Sequence, residues 1–236
     1  MAGAKAQTRS SSAGLRLLSL LAALTPAPAL AGAWVAPERQ QIVTSFIGEA
    51  EEQAFYESSL YLEQPIEESR SLVGAAWLTH DYTVASGFRG EATFGLKQSL
   101  YQDERWTVAA QGAALWNSEP SGECEEAGGE LRLLAGRAFE NGWFVNAETA
   151  YRGLGGGCGG PRLDLTVGFQ AHEHVLALGQ IFYDGPDGGD EVVRAQVTLV
   201  GTIGGGRQVQ LGFRSRIDGG AQELALVVGV WRGPVD

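Results

Sequence analysis

The stretch Arg162-Leu163-Asp164-Leu165-Thr166-Val167-Gly168-Phe169-Gln170-Ala171 decides the fold of this chain. Apolar side chains occupy every second position from Leu163 to Ala171, and polar residues or glycine occupy the positions between them. Successive side chains of a strand point to opposite sides, so this alternation predicts a β-strand with one apolar and one polar face. A helix would repeat its apolar residues every three or four positions, which this stretch does not do.

Similar runs, separated by turn residues, follow one another along the chain. Alternation is clear in 89–100 and 143–152 and poor in 41–47 and 71–78. The predicted strands are 40–48, 54–63, 70–79, 88–100, 105–116, 129–139, 143–152, 161–171, 174–183, 191–200, 206–217 and 222–231. Helical periodicity is nearly absent, so the sequence predicts an all-β fold of twelve strands.

An even strand number suits an outer-membrane barrel, which has short periplasmic turns and longer external loops. The even-numbered connections are short, except the second, around 65–68. The odd-numbered ones include the longer segments 117–127, 153–160 and 184–190, and we expect 153–160 to be a flexible glycine loop. The sequence therefore predicts a twelve-stranded antiparallel transmembrane β-barrel of the outer-membrane type.

Tryptophan placement is a second test of this fold. Aromatic rings concentrate at the two membrane interfaces, where a ring can be half in lipid and half in water. The predicted aromatic girdle, at strand ends, is Trp77, Trp106, Trp116, Trp143 and Trp231. A soluble β-sandwich is the alternative, because its strands also alternate. Ala and Gly at many mid-strand apolar positions favour the barrel, since a sandwich packs large residues there.

The first 31 residues have the order of a secretory signal peptide. Lys5, Arg9 and Arg16 precede the apolar run Leu17 to Leu24, and small residues follow as far as Ala31. This run is shorter than the roughly 20 apolar residues of a spanning helix. We expect a signal peptide at 1–31, an N-terminal periplasmic segment at 32–39, the barrel at 40–231 and a C-terminal tail at 232–236.

Charge limits the partners. The formal net charge is −11, and loss of the signal peptide, with three basic and no acidic residues, makes it −14. Nucleic acid is excluded, because its phosphates need a basic surface. The expected partners are outer-membrane lipids, lipopolysaccharide and the barrel assembly machinery. We expect no cofactor, metal or catalytic residue.

The two ends and one early strand resemble a known group. The segments are Ala33-Trp34-Val35-Ala36-Pro37, the strand 55–63 (FYESSLYLE) and the ending 228–232 (VGVWR). They are similar to proteobacterial outer-membrane barrels labelled XagA-like, and the resemblance implies a barrel that accompanies surface polysaccharide production. Such barrels usually end on an aromatic residue that the assembly machinery reads. Here five residues, Arg232 to Asp236, follow Trp231, so either Trp231 serves from an internal position or assembly is less efficient.

Charged residues recur on the polar strand faces in the external half of the predicted barrel, and we call them the charge ring. The ring comprises Arg89, Glu91, Glu130, Arg132, Glu148, Arg152, Arg162, Asp164, Arg194, Arg214 and Arg216. Seven are basic and four acidic, an excess that favours anions. Alternating signs on neighbouring strands also suit cross-strand ion pairs, which would make the ring a closed structural plug. Both interpretations are open at this point.

The predicted external loops contain the two cysteines and eleven of the 28 acidic residues. Cys124 and Cys158 predict a disulfide in an exported protein, and closing this span should contribute about 3–4 kcal/mol. The acidic residues are Glu49, Glu51, Glu52, Glu119, Glu123, Glu125, Glu126, Asp184, Asp187, Asp190 and Glu191. They are typical of solvated loops, with a Ca²⁺ or Mg²⁺ bridge to lipopolysaccharide as the weaker alternative.

Three functions are compatible with these features. The first is a narrow passive channel or export-associated barrel for polar solutes, and the second is a closed structural or surface-binding barrel that acts through its acidic loops. The third is a lipid-modifying enzyme, for which only His80 is placed at the outer rim; Ser71 and Ser86 are nearby in sequence, but no spacing singles out either. His172-Glu173-His174 is interpreted as a solvated turn, because two ligands rarely hold a metal.

Overall fold

The computed structural model describes residues 32–51, 53–81, 88–118, 124–185, 191–220 and 222–233. These residues form twelve strands and one 3-10 turn, Gly155–Gly157. The strands are β1 (Gln40–Ala50), β2 (Gln53–Glu67), β3 (Arg70–Asp81), β4 (Phe88–Gln102), β5 (Trp106–Asn117), β6 (Ala127–Ala138), β7 (Trp143–Leu154), β8 (Cys158–His172), β9 (Val175–Asp184), β10 (Val192–Gly204), β11 (Arg207–Arg216) and β12 (Glu223–Arg232). In these parts of the chain, no helix is long and apolar enough to cross a membrane.

The twelve strands close into one antiparallel barrel. Each strand pairs with its neighbours in sequence, and β1 pairs with β12 to complete the wall. At the closing seam Ile42 of β1 lies opposite Trp231 of β12. Closure leaves no unpaired sheet edge, which a barrel in lipid requires because lipid cannot hydrogen-bond a free backbone. The predicted twelve-stranded antiparallel barrel is confirmed.

The barrel is apolar outside and polar inside. Leu131 and Val197 are 74% and 68% exposed on the outer wall. Gln196, Thr198 and Gln210 are buried on the inner wall. A soluble protein reverses this arrangement, whereas a barrel surrounded by lipid requires it. The chain is therefore an outer-membrane β-barrel.

Short connections join the strands at the end of the barrel where β1 begins and β12 ends, which is the periplasmic end in barrels of this type. The second connection, around 65–68, was expected to be the exception to these short connections, and that expectation is wrong. The strand β2 continues through Pro65 to Glu67, and a bulge between these two residues accommodates the proline, which cannot donate a ladder hydrogen bond. Only Glu68 and Ser69 form the turn to β3.

Two of the expected external loops are tight turns instead. Glu49 lies within β1, β1 ends at Ala50 and β2 begins at Gln53, and Glu51 between them adopts a φ of 51°. The expected glycine loop at 153–160 is also mostly strand, because β7 runs to Leu154 and β8 begins at Cys158. Glycines pair across these strands, as Gly153 does with Gly159, since their lack of side chains lets the two backbones approach closely.

The predicted aromatic girdle divides into two sets. Trp106, Trp116 and Trp143 lie on the outer wall near strand ends and are 43–47% exposed. Trp77 and Trp231 instead face the interior, so their assignment to a lipid-facing girdle is wrong. Odd-numbered positions of β3 and β12 point inward, and poor alternation in 71–78 concealed this facing for Trp77.

Candidate functional site: the barrel interior

The structure places the charge ring on the inner wall. Nine members line one central cavity of about 580 Å³: Glu91, Glu130, Arg132, Glu148, Arg152, Arg162, Asp164, Arg194 and Arg214. Arg89 and Arg216 occupy inward positions two residues beyond Glu91 and Arg214 on their strands. The inner wall therefore gathers charges from strands between β4 and β11 around one cavity.

On one side of the cavity, Arg132 is the centre of an ion-pair network. Its guanidinium lies 2.6 Å from a carboxylate oxygen of Glu148, 3.1 Å from Glu130 and 3.3 Å from Asp164. Arg152 continues the network, because its Nε donates to Glu130 at 2.7 Å. A charge taken out of bulk water is stable only when partners compensate it, and these contacts supply them.

The network extends from Arg152 towards the external end. A second nitrogen of Arg152 contacts Glu91, and Arg162 lies 3.8 Å from the same carboxylate. Arg162 also lies 2.8 Å from Asp184 at the end of β9. Asp184 was expected in an external loop, but it belongs to the inner wall, opposite Arg162 in the strand register.

On the other side, Arg214 is the centre of a second network. It is 2% exposed, and its guanidinium lies 2.6 Å from Glu57 and 2.8 Å from Glu223. Glu223 also accepts from Arg194 at 2.9 Å. The guanidinium carbon of Arg214 lies 4.1 Å from the centre of the Phe46 ring, which is a cation–π contact.

Sequence reasoning missed three carboxylates of this ring, Glu57, Asp184 and Glu223. With them the carboxylates equal the seven arginines in number, so the expected excess of positive charge disappears. Glu57 had a signal in the sequence, because Glu57, Ser59, Tyr61 and Glu63 alternate with Tyr56, Ser58, Leu60 and Leu62. The lining of the cavity itself contains six carboxylates and five arginines, so its charges nearly balance.

At the external rim, Arg216 pairs with Asp218 in the β11–β12 connection. The Nε of Arg216 lies 2.7 and 2.9 Å from the two carboxylate oxygens, and the backbone amides of Val193 and Gly220 each donate to Asp218 at 2.8 Å. The hydrogen bond from Arg216, with those from the two amides, lowers the pKa of Asp218 to about 2.

The periplasmic half of the lumen contains the segment Gly32–Pro37, which we call the inner segment. We expected residues 32–39 to lie in the periplasm, but Ala33 is 0% exposed and packs against Ala109 and Leu134 of the inner wall. Its amide donates to Asn146 at 3.1 Å, and its carbonyl oxygen accepts from Thr107 at 3.3 Å. The expected location is wrong for residues 32–36, because the inner wall offers buried partners to their backbone, whereas Pro37, Glu38 and Arg39 are exposed.

Lys97 fixes the inner segment to the wall. Its Nζ donates to the carbonyl oxygens of Gly32 at 3.1 Å and Trp34 at 2.8 Å, and to Glu63 at 2.7 Å. These bonds use all three donors of the ammonium group. Glu63 in turn accepts from the amide of Ala36 at 3.0 Å. One buried ion pair therefore holds both ends of the segment.

Several aromatic side chains pack inside the barrel. Trp77 stacks on Phe46 with the ring centres 5.3 Å apart. Trp231 donates from its indole nitrogen to Gln210 at 2.9 Å and packs on Leu178 and Val200. Trp34 of the inner segment lies against Gly136, where a Cβ atom would be only 2.5 Å from the ring. These contacts bury apolar surface inside an otherwise polar lumen.

A disulfide joins Cys124 and Cys158, with 5.6 Å between their Cα atoms. It links the β5–β6 connection to the first residue of β8. The amide of Glu125 reinforces the link by donating to the carbonyl oxygen of Gly155 at 3.0 Å. The predicted disulfide is present, and it fastens two external connections together. Five of the expected acidic loop residues, Glu52, Glu119, Glu123, Asp187 and Asp190, lie outside the described residues.

The structure does not bring Ser71 and His80 together. They are nine positions apart on β3, which corresponds to roughly 30 Å along a strand. Ser71 is buried at the periplasmic end and donates to Glu63, whereas His80 stacks on Phe88 near the external end. Ser71 is therefore not a partner of His80, and Ser86 lies outside the described residues.

His172 and His174 lie in the β8–β9 turn region with ring centres 5.8 Å apart. Within the described ranges, no group of three or more His, Cys, Asp or Glu side chains is arranged to hold a metal.

Several solved structures share this fold. The KdgM porin has a TM-score of 0.59 at 7% identity, with 82% of this chain and 99% of that chain covered. A second KdgM structure is a complex with disordered oligogalacturonate. The NanC porin has a TM-score of 0.60 at 10% identity, with coverage of 83% and 100%.

The COG4313 outer membrane channel from Pseudomonas putida F1 has a TM-score of 0.59 at 12% identity, with 87% of this chain and 98% of that chain covered. Comparison with protein-family models and with curated protein sequences found no match. The resemblance to XagA-like proteins therefore stays a prediction. At these identities the solved structures show that the chain has the fold of outer-membrane channel barrels.

Proposed function

We propose that this protein is a narrow outer-membrane channel for small polar solutes of low net charge. The observation that carries the proposal is the central cavity of about 580 Å³, lined by paired carboxylates and guanidinium groups inside a closed barrel. Charged and polar side chains facing such a lumen favour water and hydrogen-bonding solutes over apolar ones. The fold shared with the KdgM, NanC and COG4313 proteins supports the same conclusion.

The balance of charges argues against strong selectivity for anions. Each arginine at the centre of a network, Arg132 or Arg214, contacts at least two carboxylates, so little positive potential is left for a passing anion. The KdgM porin was solved with oligogalacturonate, an acidic oligosaccharide. We propose that this chain prefers neutral or zwitterionic solutes instead.

The inner segment makes the passage narrow. It occupies the periplasmic half of the lumen, directly below the cavity, and Gly32 forms part of the cavity wall. A polymer would have to displace this segment and its buried ion pair, whereas a small solute needs only the remaining space. This favours small solutes over the surface polysaccharide that the sequence resemblance implies.

The test is the reversal potential of single channels of the mature protein in a planar bilayer under a KCl gradient. We expect a permeability ratio of K⁺ to Cl⁻ near one. The variant Arg152→Gln/Arg162→Gln leaves Glu91 and Asp184 without these partners, so it should become cation-selective. Strong anion selectivity of the wild type, or an unchanged ratio in the variant, would contradict the proposal.

The matched control is Arg70→Gln/Arg105→Gln, which we call the rim control. It also removes two positive charges, but from exposed sites beside the periplasmic turns, where Arg70 pairs with Glu67 and Arg105 pairs with Glu140. Exposed charges at the rim are screened by salt, so this variant should keep the wild-type ratio at high ionic strength.

A second candidate function is surface binding by a closed barrel. The disulfide between Cys124 and Cys158, together with the bond from Glu125 to Gly155, favours it, because both fix external connections in one arrangement. Lipopolysaccharide with bridging divalent cations is the proposed partner of the acidic residues there. This function predicts no conductance in the bilayer experiment and Mg²⁺-dependent binding of lipopolysaccharide that weakens in Cys158→Ser.

A further inference from the structure

Two arginines lie side by side at the periplasmic rim of the barrel. Arg207 begins β11 and Arg232 ends β12, and their Cα atoms are direct partners in the strand register. The neighbouring residue Trp231 faces the interior. Alternation therefore directs Arg232 to the outer wall, and Arg207 lies on the same face as Arg232, where both are exposed.

Arg39, which directly precedes β1, borders the same groove as these two arginines. None of the three has a carboxylate partner among the residues that the structure describes. Within those ranges, no Asp or Glu oxygen lies within 4.0 Å of a side-chain nitrogen of Arg39, Arg207 or Arg232. Glu38 borders the same groove without forming such a pair. Like charges directly opposite each other destabilise a strand pair, so an anion bound between them would stabilise the β11–β12 pair.

The three arginines surround an open groove of about 480 Å³. The β10–β11 turn lines the groove with Gly205 and Gly206, which adopt φ angles of 60° and 65°. A Cβ added to Gly205 would meet no atom within 4 Å, so the space beside the turn is open. The groove therefore has room for a group of phosphate size next to guanidinium groups.

Apolar side chains continue the same outer face towards the middle of the membrane. Leu211 of β11 and Val230 of β12 follow the two arginines at outward positions and are 54% and 44% exposed. A pair of guanidinium groups beside an apolar wall fits a lipid, because the anionic headgroup can contact the arginines while the acyl chains lie along the apolar wall. Arginine suits this role because its planar donors bind two phosphate oxygens at once.

We propose that Arg207 and Arg232, with Arg39, bind the phosphodiester of a phospholipid in the periplasmic leaflet, at the periplasmic ends of β11, β12 and β1. The lipid neutralises the facing arginines and covers the β11–β12 strand pair, which lies next to the closing seam. The site is separate from the lumen and does not depend on conduction.

The test is native mass spectrometry of the mature protein in non-ionic detergent, titrated with phosphatidylglycerol, phosphatidylethanolamine or diacylglycerol. We expect both phospholipids to bind and diacylglycerol, which lacks phosphate, not to bind. In Arg207→Gln/Arg232→Gln the phosphatidylglycerol affinity should fall about tenfold or more, since a charged hydrogen bond is lost at each site. The rim control, with the same charge change, should keep wild-type affinity.

Equal affinity of the double variant and the rim control would overturn the proposal, as would equal binding of diacylglycerol and phosphatidylglycerol. Inorganic phosphate that binds as tightly as the phospholipid would overturn the lipid assignment. A gel-mobility shift between unheated and boiled samples verifies that each variant is folded. If the double variant does not fold, Arg207→Gln alone should show a smaller loss of affinity, and no loss would contradict the proposal.

Discussion

Lys97 and Glu63 form an ion pair inside the lumen, with 2.7 Å between Nζ and Oε2 and both side chains 0% exposed. Lys97 is the only lysine after the predicted signal peptide. The same pair binds the backbone of the inner segment at Gly32, Trp34 and Ala36. The interior of the barrel and the segment that fills it are thus joined through one pair of charges.

Removal of the ammonium group should release the inner segment. In Lys97→Met, Glu63 remains buried with a charge and without its cation, which should lower the free energy of unfolding by about 3–5 kcal/mol. The measurement is urea unfolding of the refolded protein. Lys97→Met/Glu63→Gln removes both charges and should recover part of the loss. Equal stability of the single and double variants would show that the pair is not coupled.

Crowding of Trp34 should displace the inner segment without changing any charge. In Gly136→Ala the new Cβ would lie 2.5 Å from the Trp34 ring, closer than real contacts allow, so the ring must move. We expect faster hydrogen exchange at the amides of Ala33 and Ala36. Mass spectrometry of the peptide 32–39 measures this exchange. Gly201→Ala is the control, because a Cβ there meets nothing within 4 Å.

Loss of the disulfide should loosen the external connections and leave the barrel intact. Cys158→Ser frees the β5–β6 connection from the start of β8, and the lost cross-link of 34 residues corresponds to about 3–4 kcal/mol of loop entropy. We expect faster protease cleavage near residue 124 and an unchanged heat-dependent gel shift. Thiol labelling of denatured, unreduced wild-type protein should detect no free cysteine, and labelling there would disprove the bond.

The pair of Arg216 and Asp218 should stabilise the barrel down to acidic pH. The pKa of Asp218 is lowered to about 2 from 3.8, so its contribution is present above pH 3.8 and is lost as the pH falls towards 2. Asp218→Asn should therefore unfold at lower urea than wild type at pH 7 and pH 5, by the same margin. The margin should shrink between pH 4 and pH 2. A margin that is constant to pH 2 would contradict this assignment.

Most of the barrel could be predicted because strands leave a local signal. Alternation in Arg162–Ala171 identified β8, and turn residues between similar runs gave twelve strands. The sequence did not predict which side chains of β3 point inward, because Ser71, Gly74 and Ala75 do not give the strand one clearly apolar and one clearly polar face. Trp77 was therefore assigned to the lipid instead of the interior.

The inner segment could not be predicted, because what fills a lumen depends on contacts between residues far apart in sequence. Ala33 meets Asn146 across 113 positions, and no periodicity encodes such a contact. One signal was present: Lys97 occupies an inward position in the periplasmic half of β4, where an unpartnered charge would be costly. A buried lysine required an anion and carbonyl oxygens nearby, which Glu63 and the inner segment provide.

A channel narrowed by the inner segment is tested by comparing the single-channel conductance of the mature protein with that of a variant that begins at Glu38 and so lacks this segment. We expect small conductance steps for the wild type and clearly larger steps for the shortened variant, because the periplasmic half of the lumen is then open. The shortened variant must first show the heat-dependent gel shift of a folded barrel. Equal steps, or no conductance from either protein, would contradict a narrow channel restricted by the inner segment.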